Sequence, residues 1–184
     1  VPFAPALGTG VLGIDVEPQA GRYKITRIYH ADILKLDAPA PMDVPALTAR
    51  PADFIETING AQVSAQRDLA EYLIGRASKP TRVCLTPASG GSRRCADVTP
   101  IANDAPLRFA AWRNANAERV ASLSGGRLGY IHMSDTIESG LEQFNQGRFA
   151  QHDRDGFIID VRFNSGGYAP DYVIQQLTAD RYSP

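Results

Sequence analysis

Short apolar runs broken by turn residues fill the first hundred positions, and a longer helical rhythm replaces them afterwards. "VLGIDV" (11–16) and "YKITRIY" (23–29) have strand character, separated by Pro18 and Gly21. Between 36 and 52, Pro39, Pro41, Pro45 and Pro51 predict a loop rather than an element. "DFIETINGAQV" predicts a strand over Phe54–Ile58, ended by an Asn59-Gly60 turn. Leu69, Tyr72 and Leu73 recur at helical spacing in "RDLAEYLIGRA", and Gly75 weakens the end of that helix. "RVCLT" and "CADVTPI" read as paired strands on either side of Ser89-Gly90-Gly91.

The composition shifts at "PIANDAPLRF" (100–109), which predicts two domains, 1–103 and 104–184. "LRFAAWRNANAERVASL" places Phe109, Trp112, Val120 and Leu123 on one helical face, stopped by Gly125-Gly126. "RLGYIHM" is a strand. In "DTIESGLEQFNQGRF", Asp135 and Glu138 have capping-box spacing ahead of Ile137, Leu141 and Phe144 on one face. "GFIIDVRF" is nearly continuous in apolar residues, the mark of a strand covered on both faces. Strand, helix, strand, helix from 127 to 179 predicts a parallel pair with a right-handed crossover.

A 43% apolar share and a net charge of −1 over 184 residues fit a folded chain without an electrostatic footprint for nucleic acid. No stretch reaches the roughly 18 apolar residues of a membrane span, and the start of the chain lacks the pattern of a signal peptide. Cys84 and Cys95 flank the predicted hairpin. Two readings stand side by side: a cross-strand disulfide, which would point outside the cytoplasm, or two reduced thiols on a sheet. His30, His132, His152 and the cysteines show no metal-ligand spacing, and nothing calls for a cofactor.

"GTGVLG" (8–13) matches the letters of the dinucleotide fingerprint G-x-G-x-x-G. That motif needs a strand before it and a helix after it, and "IDVEPQAGRY" does not start a helix. A glycine-flanked turn entering a strand can instead aim backbone N–H groups at a peptide carboxylate while the strand edge pairs with the peptide. The short strands, "DFIETINGAQV" and the helix after it resemble a PDZ domain over about residues 8–101. Asp53, Ile55, Ile58, Asn59, Gly60 and Val63 fit a stretch common in that family, with Ala52 where glycine is usual. The resemblance implies that Val11, Leu12, Gly13 and Ile14 form the carboxylate-binding loop, with peptide or protein C-termini as partners.

His132, Ser134 and Asp135 are the residue types of a hydrolytic triad, but triad members converge from separate positions rather than from consecutive ones. "IIDVRFNSGGYAPDYV" (158–173) carries more chemistry. Gly166 and Gly167 follow the carboxyl end of a strand, where open α/β sheets place ligands, and Pro170 suits the first turn of a helix. A glycine amide there can donate to a developing oxyanion, a role worth about 2.7–4 kcal/mol per donor.

"GGRLGYIHMSD", "GFIIDVRFNSGG" and the PDZ-like section together resemble the tricorn protease family, serine peptidases related to the C-terminal processing peptidases. Ser165 stands where that family commonly has a third glycine. The resemblance implies an α+β and α/β architecture: a PDZ-like partly open β-barrel with a helix, then an incomplete βαβα segment of a peptidase core. It places the oxyanion donor at Gly166 or Gly167, the histidine base before the PDZ section and the nucleophilic serine after the N-x-G-G turn. Ser183 lies too near the preceding helix for that serine. The expectation is therefore a peptide-binding portion of a serine peptidase that does not hydrolyse alone and whose parent is free to oligomerise. A noncatalytic PDZ-type adaptor recruiting a protein partner is the rival.

Overall fold

The computed structural model describes residues 8–31, 39–168 and 170–178. The chain divides into two compact units, residues 1–111 and 112–184.

The first unit is built on an antiparallel sheet. Its strands are β1 (Ile14–Gln19), β2 (Arg22–Ile28), β3 (Phe54–Ile58), β4 (Ala61–Gln62), β5 (Thr81–Thr86) and β6 (Arg94–Val98). They run in the order β1-β2-β3-β5-β6, and β4 pairs with β3 through the Asn59-Gly60 turn. β1 is therefore an edge strand. Ala20 and Gly21 both take positive φ at the turn into β2. β1 begins three residues later than the apolar run suggests and continues through Pro18, which edge strands tolerate because no ladder bond is lost. Leu12, Ile25, Leu47, Ile55, Val83 and Leu85 form the centre of the core, each removed from water.

One expectation changes here, and one pair of alternatives is decided. The helix read over "RDLAEYLIGRA" is only a 3-10 turn, Leu69–Leu73. The Asp68 side chain caps Ala70 N, and Gly75 at φ 69° ends the segment before a full α-turn can repeat. The two thiols are joined: Cys84 and Cys95 stand directly opposite each other in the β5–β6 register and form a disulfide. Closing a loop of 11 residues this way stabilises the hairpin by about 3 kcal/mol in the chain-entropy account. Part of the proline-rich loop expected over 36–52 lies outside the described residues; from 39 onward it is turns, with Leu47 and Met42 buried in the core.

Helix α1 (Ala105–Leu123) spans the division between the units. Its buried residues are Leu107 and Ala110, whereas Leu123 is 78% exposed, so the burial does not follow the face predicted from Phe109, Trp112, Val120 and Leu123. The glycine stop holds. Gly125 and Gly126 take positive φ, and Gly126 N donates to Ala121 O at 2.7 Å, the six-to-one bond of a Schellman cap.

The second unit pairs β7 (Leu128–His132) with β8 (Gly156–Asp160) in parallel, with α2 (Glu138–Ala150) between them in sequence and α3 (Pro170–Thr178) following. Ile131, Met133, Phe144 and Val173 form its core. β8 is not covered on both faces as its apolar run predicts. It belongs to a two-stranded sheet, ends at Asp160, and leaves Ile158 44% exposed. The capping box is half formed: Asp135 accepts from Ile137 N at 3.0 Å and Gly140 N at 2.7 Å, and no reciprocal bond from Glu138 is present among the described residues.

Candidate functional site

The turn after β8 is held from two sides. Ser165 N donates to Ser134 O at 2.9 Å, and Thr136 N donates to Gly166 O at 2.8 Å, so the segment 134–136 tracks the turn, with an isolated parallel bridge between Thr136 and Gly167. Asn164 clamps it internally. Its Oδ1 accepts Gly166 N at 2.6 Å while its Nδ2 donates to Met133 O at 3.1 Å. The two glycines thereby separate. The Gly166 amide is taken by Asn164, whereas among the described residues no partner meets Gly167 N.

Backbone geometry explains why glycine stands at both positions. Gly166 has φ 87° and open space where a Cβ would sit. Gly167 has φ 145°, and a Cβ there would lie 2.5 Å from both the C and O of Thr136. Phe163, a non-glycine residue at φ 62°, begins this reversal; the residue is 78% exposed and its ring stands edge-on to Trp112 at 5.5 Å.

Next to the turn lies a polar network of residues that sit inside the two quoted motifs, Tyr130 in one and Asp160 and Arg162 in the other, to which the sequence assigned no role. Tyr130 OH donates to Asp160 Oδ2 at 2.7 Å across the β7–β8 pair. Arg162 returns from beyond the strand end: its N and Nε donate to Asp160 Oδ1 at 3.0 and 2.9 Å, and its guanidinium stands 4.8 Å over the Trp112 ring. The Arg162 hydrogen bonds hold the Asp160 carboxyl well below the usual carboxylate range, against the opposing effect of burial. Burial, followed by the bond to Asp160, pushes the Tyr130 phenol up to about 12. Asp160 thus turns the chain out of β8 and into the segment that carries Asn164, Gly166 and Gly167. The Asp-x-Arg spacing at the strand end, within "GFIIDVRFNSGG", is the sequence signal that could have found it.

That network sets a pH dependence. A tyrosine whose folded pKa exceeds its ordinary value of 10.0 contributes stability fully present below that value, lost as pH rises towards about 12. Stability of the second unit is expected to fall by on the order of 2–3 kcal/mol across that window. Tyr130→Phe removes the alkaline limb, which denaturant titrations at stepped pH would reveal; an unchanged limb in that variant would contradict the assignment. On the acid side the sign reverses. Asp160 contributes above its ordinary carboxylate value and loses that contribution as pH falls towards its depressed folded value.

His132 does not meet Ser134 and Asp135 as a triad. It is buried, edge-on to Trp112 at 5.5 Å, and its Nε2 lies 2.8 Å from the Arg162 carbonyl, which only accepts, so Nε2 carries the proton. Ser134 Oγ donates to Asp135 Oδ2 at 3.1 Å, and the Asp135 carboxylate caps α2, whose Gly140 and Ile137 amides hold it below its ordinary pKa. No group of three or more His, Cys, Asp or Glu among the described residues is arranged to hold a metal. No helix among them is long and apolar enough to cross a membrane.

In the first unit, the glycine-flanked turn leads into the open edge of β1. Gly10 N donates to Leu73 O at 2.9 Å and Val11 N to Ile101 O at 2.8 Å, so these two amides are engaged within the fold. Leu12 is buried in the core, and Gly13, at φ 65°, is buried with Leu107 packed over it. Ile14 opens β1 half-exposed. Asp15, Tyr29 and Arg108 form a second polar cluster beside it. Burial pushes the Asp15 carboxyl up, but hydrogen bonds from Arg108 and Tyr29 outweigh it and leave the group below its ordinary pKa.

Known proteins resemble this chain in sequence and fold. The family model described as the tricorn protease PDZ domain matches residues 10–103. Tricorn protease homolog 1 of Streptomyces coelicolor is 33% identical over 169 residues, 91% of this chain and 16% of that protein. The tricorn protease of Thermoplasma volcanium is 28% identical over 172 residues, 94% of this chain and 17% of that protein. A crystal structure of the tricorn protease superposes with a TM-score of 0.82 at 26% identity, covering 95% of this chain and 17% of that one. This chain therefore spans only about a sixth of the length of these relatives. Matched by that family model over residues 10–103, the chain belongs to the tricorn protease PDZ domain family.

Proposed function

We propose that this chain is the peptide-handling portion of a tricorn-type serine peptidase. Residues 1–103 serve as a PDZ-like, partly open barrel that takes peptide C-termini along β1, with Val11, Leu12, Gly13 and Ile14 as its carboxylate loop. Residues 104–184 serve as the first part of an α/β peptidase core, whose N-S-G-G turn receives the oxyanion of acyl transfer. The observation that carries this reading is the split between the glycines: Gly166 N is taken by Asn164, and Gly167 N is left to donate. Gly167 is therefore the oxyanion donor and Gly166 the hinge that orients it. The base and the nucleophile come from polypeptide beyond the matched sixth of the relatives.

The groove is tested by titrating the isotope-labelled chain with C-terminal peptides. Localised NMR shifts at Val11–Ile14 are expected, and their absence across diverse peptides would remove the carboxylate-loop assignment. Robust hydrolysis by the 184-residue chain, lost on replacing a serine within it, would overturn the placement of the nucleophile elsewhere.

A further inference from the structure

We propose that Arg108 is a latch on the peptide edge of β1: anchored by Asp15 and Asp104, its guanidinium caps the Ile14 carbonyl, and an incoming peptide must displace it to add a strand. The inference rests on the groove reading above and concerns the regulation of that groove.

Strand register fixes which backbone groups of β1 are available. Tyr29 N donates to Gly13 O at 2.9 Å, and Ile14 stands opposite Ile28. In an antiparallel ladder this makes Ile14 and Ile28 a non-hydrogen-bonded pair, so the N–H and C=O of Ile14 turn away from β2 towards the open edge. Those are the groups a strand-adding peptide needs. Farther along β1, Pro18 has no N–H to offer, which concentrates docking at the Ile14 end.

Arg108 occupies that end. Its Nη2 lies 3.4 Å from Ile14 O, its Nη1 lies 2.7 Å from Asp15 Oδ1 and 3.0 Å from Tyr29 OH, and its Nε lies 2.9 Å from Asp104 Oδ2. The guanidinium also stands 4.5 Å over the Tyr29 ring. Four acceptors on one planar fork fix its position in a way a lysine cannot reproduce. The bond to Ile14 is the longest of the set, so the ion pairs hold the arm in place rather than the cap itself. One of these, Arg108–Asp15, is about 40% exposed on each partner, which makes the latch sensitive to salt.

The test compares the native chain with Arg108→Ala and Asp15→Asn, each titrated by NMR with a degenerate pool of C-terminal pentapeptides and checked for folding by thermal melting. Removing the arm is expected to tighten half-saturation roughly tenfold, the scale of one charge-assisted hydrogen bond. Asp15→Asn moves in the same direction by less, and the native chain binds more tightly as ionic strength rises. Shifts at Ile14 with equal or weaker affinity in Arg108→Ala overturn the latch and leave the groove standing. Absent shifts in all three chains overturn the groove and the latch with it. If Arg108→Ala does not fold, the Asp15→Asn comparison and the salt series decide: affinity that falls with salt, or is unchanged in Asp15→Asn, overturns the proposal.

Discussion

Gly140→Ala is expected to cost the second unit more than about 3 kcal/mol, beyond the usual range for an added methylene. In an ordinary helix the same change stabilises by about 1 kcal/mol, because glycine has the greater backbone freedom to lose. Here the sign inverts for a steric reason. A Cβ on Gly140 would lie 1.8 Å from Asp135 O and 2.6 Å from Asp135 C, both backbone atoms that no rotamer change can move. The approach is that close because Asp135 caps α2 through Gly140 N and Ile137 N, drawing the 134–136 segment onto the helix. Relief requires the segment to swing off, which breaks the Thr136–Gly166 and Ser165–Ser134 bonds that shape the glycine turn. Gly147→Ala is the comparison, since its Cβ would meet the buried Ile131 side chain, at 2.9 Å from Cγ1, and no backbone atom among its nearest neighbours. Urea melts should show a larger midpoint loss for the first variant than for the second; equal losses would refute the steric account.

This dependence was not legible in the sequence, and the reason is physical. The one-dimensional pattern registers what a residue is, so a glycine inside a helical run reads only as a weak point. Its role in admitting a neighbouring backbone depends on tertiary approach. Patterns set by local chemistry were readable: the Phe54–Ile58 strand with its Asn59-Gly60 turn, the Gly125-Gly126 stop and the alternation that places β7, α2, β8 and α3. Features set by competition between local and distant partners were not. Leu69, Tyr72 and Leu73 have helical spacing, yet capping by Asp68 and the turn at Gly75 confine them to a 3-10 segment. The apolar run of β8 implies cover on two faces that this unit does not provide. At the candidate site the sequence offered two glycines as equals. What distinguishes them is the side chain of Asn164, whose motif position was visible but whose two hydrogen bonds were not.

The same distinction predicts opposite outcomes for two neighbouring substitutions. Gly166→Ala should fold with the turn preserved, since its Cβ enters open space and φ 87° costs an alanine about 1–2 kcal/mol. Gly167→Ala should displace the turn: φ 145° is closed to L-residues, and the Cβ would sit 2.5 Å from the Thr136 carbonyl carbon and oxygen. NMR of the 184-residue chain separates them directly, with perturbations spreading through Ser134, Thr136 and Ser165 in Gly167→Ala but confined to the turn tip in Gly166→Ala. In a longer polypeptide that hydrolyses peptides, loss of one aligned oxyanion donor lowers kcat by roughly a hundred- to a thousandfold. Under the oxyanion role proposed for Gly167, that loss should accompany Gly167→Ala with KM little changed, because such a donor acts on charge present only in the transition state. Gly166→Ala should retain most of the rate. A reversed order would move the oxyanion role to Gly166 and require Asn164 to release its amide during catalysis, whereas equal and full activity in both variants would remove the turn from the chemistry.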